Sequence, residues 1–164
     1  MDLTTEERYV FEHFRSLGEE GKAAVSSLAQ RLATCAKKQK PPHFRDLIGE
    51  EVIRGENGHT EVRTRVTPFL LNRAQVVHGG VICTVMDEAI GWAVYNTLEE
   101  GQRAVTAELK INFLAAGTGG TITGRGRVIR KGKNLVTGEG DLYDQEGTHL
   151  ARGLGTWMII HPQP

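Results

Sequence analysis

Seventeen residues hold most of the side chains in this sequence that could do chemistry: Asn72-x5-His78-Gly79-Gly80-x6-Asp87-Glu88. His78-Gly79-Gly80 leads into the apolar run Val81 to Tyr95, which is broken only by the two acids and reads as a helix buried on most sides. The Gly79 and Gly80 amides are therefore candidates for the unpaired N–H groups at the helix's positive end. Such groups suit negative charge developing on an oxygen, and glycine lets a carbonyl come close to the backbone. His78 is expected to orient this loop, and Asn72 by itself reads as a loop or capping residue. Asp87 and Glu88 lie about 100° apart around a helix, so they cannot face the same neighbour. At least one must meet a buried or interfacial setting, where a charge is costly unless paired or used.

Competing chemistries fall away. Serine occurs only at 16, 26 and 27, and no GxSxG exists. Histidines at 13, 43, 59, 78, 149 and 161 show no HExxH or other ligand spacing, so no metal site is expected. Cys83 lies on the apolar helix without an evident base and reads as inert packing. Gly79 and Asp87 are eight residues apart, about 12 Å along a helix, too far to flank one reacting carbon. Two such helices, side by side and antiparallel in a two-fold dimer, would bring Gly79 of one to Asp87 of the other, twice.

The surrounding elements must hold that helix. Residues 50–54 and 60–67 alternate around Gly55-Glu-Asn-Gly58, a hairpin pattern. Val105, Ala107, Leu109, Ile111 and Phe113 alternate with polar partners, predicting a strand with one buried face. Strand-like runs near 120–130, 135–144 and 149–159 carry Gly124-x-Gly126, Gly138-x-Gly140 and Gly153-x-Gly155. A spacing of two puts each pair on one face. Six missing side chains then make room for one thick object, the helix, inside a curved antiparallel sheet. None of these runs extends to GxGxxG, so no dinucleotide site is expected. Trp92, Tyr95, Phe69 and Phe113 are assigned to the core by default.

Residues 1–42 read as a separate helical extension, and 43–164 as the main domain. Thr4 and Glu7 have capping-box spacing, and Val10, Phe11, Phe14 and Leu17 share a face up to Gly18. A second helix follows, closing at Lys37, Lys38 and Lys40 before Pro41-Pro42. Twenty basic and 20 acidic residues cancel, so neither nucleic acid nor an anionic membrane is an expected partner. No apolar run reaches the ~20 residues of a membrane span. Two cysteines without a CxxC pair, and an N-terminus without signal-peptide character, point to a reduced, cytoplasmic setting.

Asn72-x5-His78-Gly79-Gly80-x6-Asp87, followed by the alternating strand and the GxG strands, resembles the hotdog-fold acyl-CoA thioesterases, especially the phenylacetyl-CoA thioesterase-like branch, over residues 47 to 160. The resemblance implies an α+β hotdog fold, a curved antiparallel sheet around a central helix, assembling as a dimer or a dimer of dimers. It implies hydrolysis of an acyl-CoA to free acid and CoA at a dimer interface, with no cofactor beyond the CoA carried by the substrate. Asp87 takes the role of catalytic carboxylate, as general base on water or as nucleophile. Gly79 supplies the N–H that polarises the thioester carbonyl, and Asn72 holds the carbonyl or the water. His78, Gly80 and Thr106 fall at substrate-binding positions, Thr106 near a hydroxyl residue that positions water. Glu88 reads as an interface or salt-bridge residue. Arg130, Lys131, Gly132 and Lys133, at an expected hairpin, are the candidate receptor for the CoA phosphates. Two rivals keep the fold: a non-catalytic acyl-CoA-binding sensor, which Asp87 and Asn72 argue against, and a hydratase, which the HGG spacing fits less well.

Overall fold

The computed structural model describes residues 3–161 apart from 38, 40 and 42. They form two compact units, Met1–Gly49 with Thr67–Phe69, and Glu50–Val66 with Leu70–Pro164.

The first unit contains α1 (Thr5–Ser16), α2 (Glu19–Lys37) and the short α3 (Phe44–Ile48). The capping box at the start of α1 is as expected: Thr4 Oγ1 accepts from the Glu7 amide at 3.2 Å, and the Thr4 amide donates to Glu7 Oε2 at 2.7 Å. Among the described residues the apolar stripe of α1 is only partly covered, with Phe14 half-buried. No residue of α1 is buried, and Val10 and Phe11 stand largely in solvent. Lysines 38 and 40 and Pro42, expected to close α2, lie outside the described residues. Nothing in the sequence had announced α3, whose chain leaves through Gly49 in the left-handed conformation (φ 70°).

The second unit contains β1 (Glu50–Glu56), β2 (His59–Arg65), α4 (Gly79–Tyr95), β3 (Arg103–Phe113), β4 (Thr121–Lys131), β5 (Leu135–Tyr143) and β6 (His149–Ile160). The strands form one sheet in the order β1-β2-β4-β5-β6-β3, antiparallel throughout, so β1 and β3 are its free edges. Asn57 and Gly58 alone make the first hairpin turn, with φ of 51° and 73°. Both central residues of a type I′ turn need positive φ, which is why β1 and β2 run further than the four-residue turn expected from sequence.

The paired glycines form the floor on which α4 lies. Gly126 sits opposite Gly140, which sits opposite Gly153, and Gly138 sits opposite Gly155. A Cβ on Gly140 would meet Met86 Sδ at 2.9 Å, and one on Gly153 would meet Met86 Cγ at 2.7 Å. Five of the six face the helix; Gly155 instead gives room to the ring of Trp157 and the Glu108 carbonyl. The sheet thus wraps one central helix, as the glycine pattern predicted.

Two expectations need correction. Helix α4 is not buried on most sides: Ile82, Val85, Met86, Ala89, Ile90, Ala93 and Val94 form one buried stripe, while Gly80, Cys83, Thr84, Asp87, Glu88, Gly91 and Trp92 remain half-buried or exposed. Nor does β3 keep one alternation. A bulge between Thr106 and Glu108 inserts an extra residue against β6, and an extra residue flips the face of everything after it. Thr106 pairs with buried Trp157, as Ala104 does with Ile159, and Leu109, Ile111 and Phe113 follow on that same face. Val105, expected inside, is 47% exposed on the other.

Candidate active site

The loop before α4 is tied by backbone and side-chain bonds. Asn72 Oδ1 accepts from the Ala74 amide at 2.8 Å, the Asn72 amide donates to the Val76 carbonyl at 2.8 Å, and Gln75 takes a φ of 59°. The His78 amide donates to the Leu70 carbonyl at 2.8 Å. With one side-chain oxygen spent on the turn, Asn72 keeps its Nδ2 without an acceptor among the described residues.

His78 is the N-cap of α4, with φ −61° and ψ 135°, and its Nδ1 accepts from the Gly80 amide at 2.9 Å. Ring nitrogens rarely cap helices; here the tight glycine turn brings the imidazole back over its own chain. Gly80 is therefore not the free donor the sequence suggested, because His78 already takes its proton. The Val81 and Ile82 amides both donate to the His78 carbonyl. Gly79 alone of the first-turn amides has no acceptor among the described residues, and the macrodipole adds positive potential there.

Asp87 lies two turns further along the half-buried stripe. Thr106 Oγ1 donates to its Oδ1 at 2.9 Å, a bond that exists because the bulge turns Thr106 toward the helix. Burial pushes the Asp87 carboxyl above the usual carboxylate range, and the Thr106 hydroxyl, by bonding the charged form, opposes that rise without cancelling it. A carboxylate so placed is a stronger base than one in water, and its second oxygen is left for another proton. Glu88 points elsewhere and accepts from the Trp92 indole N–H at 3.0 Å. The successive acids have separate neighbours, as their 100° offset requires.

Phe113 was assigned to the core, and it is not there. The ring is 57% exposed, yet its Cε1 and Cζ lie 3.7 Å from where a Cβ on Gly79 would stand. Tyr95 and Phe69 are likewise exposed. Alternation already set Phe113 on the helix-facing side of β3; the bulge is what brings Thr106 onto that same face.

The basic segment divides. Arg130 and Lys131 are the last residues of β4, and the turn that follows is closed by the Gly132 amide on the Leu135 carbonyl at 2.7 Å. Lys131 is no free phosphate receptor: its Nζ donates to the Thr97 carbonyl and lies 4.0 Å from Glu99. Arg130 and Lys133 are exposed and have no partner among the described residues.

Two surface depressions lie away from Asp87. One of 670 Å³ is lined by Arg63, Arg125 and Tyr143, and one of 390 Å³ by Arg54, Arg127 and Glu139. The arginines there are committed to neighbours; buried Glu61 holds Arg63 at 2.9 Å and Arg125 at 3.2 Å. In a single chain the Asp87 stripe is a half-buried helix face. Among the described residues no group of three His, Cys, Asp or Glu could hold a metal ion, and no helix is long and apolar enough to cross a membrane.

Residues 74–151 match the family model of the Thioesterase superfamily. Protein SSO1253 of Saccharolobus solfataricus is 37% identical over 114 residues, covering 70% of this chain and 75% of that protein. The acyl-coenzyme A thioesterase PaaI of Escherichia coli is 29% identical over 105 residues, covering 63% of this chain and 73% of that protein. The crystal structure of the BH2602 protein from Bacillus halodurans with CoA superposes with a TM-score of 0.83 at 30% identity, covering 90% of this chain and 98% of that one. With its sheet curled around a single helix and its HGG turn opening that helix, the chain belongs to the thioesterase superfamily, in the PaaI-like branch, and is a hotdog-fold thioester hydrolase.

Proposed function

We propose that the protein hydrolyses acyl-CoA thioesters to a free acid and CoA at two sites, each shared by two copies of the chain. The observation that carries this reading is the pairing of two contacts. On one chain Gly79 lies against Phe113 and Asp87 against Thr106, so α4 and the free edge β3 run past each other in opposite directions. One two-fold axis beside Cys83 and the middle of β3 then serves both elements. It sets β3 antiparallel to its copy, with Phe113 facing the partner's Thr106 about 4.8 Å away across the strands, and draws Gly79 toward the partner's Asp87.

In that arrangement the Gly79 amide, with Asn72 Nδ2, donates to the thioester carbonyl oxygen and stabilises the negative charge that builds there. The partner's Asp87 takes a proton from the attacking water. The carbon–sulfur bond then breaks, and the thiolate of CoA recovers the proton from the Asp87 carboxyl. A direct attack by Asp87 would expel the CoA thiolate and form a mixed anhydride, which one water then cleaves to the acid and Asp87 with its proton passing to the thiolate, and it uses the same groups. A thiolate leaves readily, so one base and one oxyanion site suffice and no cofactor is required. Arg130 and Lys133 are candidates for the CoA phosphates. The CoA present in the BH2602 structure supports this substrate class.

Sharing is testable by complementation. Gly79→Pro removes the N–H and puts a ring into the space beside Phe113, both of which disable that half of the site, while the fold is kept: proline is tolerated at the first helical position, and His78 already has the extended conformation that a following proline favours. Gly79→Pro and Asp87→Asn chains are each expected to be inactive. After subunit exchange, half of the dimers are mixed and each carries one intact site, so roughly a quarter of wild-type thiol release should return. No recovery despite proven exchange would place both groups in one chain's site and end the shared-site reading.

Thr106 sets the acid limb of the rate profile. Its hydrogen bond favours ionised Asp87, so Thr106→Val leaves burial unopposed and raises the carboxyl pKa further. Less of the base is ionised at a given pH, and the acid limb of kcat/KM should move to higher pH, while Thr106→Ser keeps it in place. An unmoved limb in the valine variant would mean that the 2.9 Å bond does not govern the base.

A further inference from the structure

Phe113 is a large apolar ring left more than half exposed at the end of β3, with Leu114 beside it 55% exposed. Burial within one chain does not explain its position, and in the proposed dimer the ring stands where the shared site forms. The ring edge is directed at Gly79, 3.7 Å from the point where a side chain there would begin, and Gly79 has none. The chain therefore leaves unfilled the space between an apolar ring and the one first-turn amide that lacks an acceptor. A carbonyl oxygen accepting from that amide, at about 2.9 Å, brings its own carbon substituent into van der Waals range of the ring. Ile111, half-buried on the same face, continues the apolar wall away from the amide.

We propose that Phe113 is a specificity-determining residue that selects acyl groups with an apolar body, aryl or medium-chain, over acetyl. The inference rests on the acyl-CoA reading above and adds which half of the substrate meets the ring. An acetyl group ends before it can cover Phe113, whereas a phenylacetyl or hexanoyl group covers it and removes its exposed edge from water. Offset or edge-to-face aromatic contact adds to that for the aryl group.

The test compares acetyl-CoA, hexanoyl-CoA and phenylacetyl-CoA on wild type, Phe113→Ala and Phe113→Leu. Alanine should lower kcat/KM about tenfold for the two larger substrates, the scale of a lost apolar pocket contact, and leave acetyl-CoA within about twofold. Leucine should recover most of the hexanoyl-CoA rate. The ring is exposed in a single chain, and unchanged melting together with unchanged sedimentation of the alanine variant checks that fold and assembly survive its loss. Equal loss on all three substrates would assign the ring to the amide or the CoA half, and no loss on any would make it idle; either result overturns the proposal.

A calorimetric arm separates this from the hydrolytic reading. In an Asp87→Asn background, Phe113→Ala should weaken phenylacetyl-CoA binding and leave CoA binding unchanged. A ring-dependent preference for phenylacetyl-CoA in a wild-type protein that releases no thiol would overturn hydrolysis and uphold Phe113. Equal binding of phenylacetyl-CoA and CoA by the Asp87→Asn protein would overturn Phe113.

Discussion

Asp87→Asn is expected to lower kcat by roughly 10²- to 10⁴-fold, the range a positioned general base contributes, with the assembly state of the wild type and the affinity for CoA retained. The substitution is nearly isosteric, and an amide oxygen still accepts from Thr106 Oγ1, now 2.9 Å from Asp87, so the helix and β3 keep their contact. What is lost is the ability to take a proton from water or to attack carbon. Thiol release from acyl-CoA, with sedimentation to confirm assembly, measures the effect; a rate near wild type would remove Asp87 from the mechanism.

The same variant carries a stability signature. Because burial raises the carboxyl pKa, the folded chain binds the Asp87 proton more tightly than the unfolded chain does. Its contribution is therefore most favourable below the ordinary carboxylate range and is lost as pH rises through the raised folded pKa. Asparagine carries no charge to desolvate. At neutral pH Asp87→Asn should melt no lower than wild type, and any advantage it has should vanish in acid. Catalytic loss without loss of stability separates a residue kept for chemistry from one kept for packing.

Gly126→Ala is expected to be the most damaging single methyl in the sheet, destabilising by about 3 kcal/mol, the upper end of overpacking costs. Its Cβ would collide with the Ala89 carbonyl oxygen and lie 2.7 Å from the Ile90 nitrogen. Those are backbone atoms in the middle of α4, so no rotamer change relieves them; the helix itself must lift from its floor. Gly124→Ala is the internal control. Its Cβ would meet only side-chain carbons, Ala89 Cβ and Val62 Cγ2 at 3.1 Å and Val85 Cγ1 at 3.2 Å, which can shift by tenths of an ångström, so a cost of about 1 kcal/mol is expected. Denaturant midpoints of the two variants make the comparison. Equal loss in both would mean that α4 rides freely over the glycines. Lifting the helix would also separate Asp87 from Thr106, so residual activity of Gly126→Ala should fall further than its folded fraction.

The glycine floor was legible because a spacing of two has one structural meaning in a strand, and the central helix because its run is apolar from Val81 to Tyr95. The capping box of α1 was legible for the same reason: Thr4 and Glu7 form a purely local motif. Three features were not. The Gly80 amide was counted as free because nothing local says that an imidazole will turn back to accept from it. Lys131 was counted as a free cation because its acceptor, the Thr97 carbonyl, lies 34 residues away. Val105 was placed on the wrong face because strict alternation knows nothing of a bulge, and Phe113, on the expected face, is exposed because it ends an edge strand.

By itself the sequence determined the periodicities: which segments turn every 3.6 residues and which every two, where side chains are missing, and that Gly79 and Asp87 share a helix too long for one reacting carbon. Those are properties of a chain and its immediate neighbours, set by backbone geometry. Only the tertiary structure decided which groups keep free hydrogen-bonding capacity, because that depends on who arrives from elsewhere. Lys131 gives its charge to the Thr97 carbonyl, 34 residues away. The extra residue in β3 turns Thr106 to Asp87, on the face where Phe113 meets Gly79. The edge that β3 leaves unpaired lies open beside both.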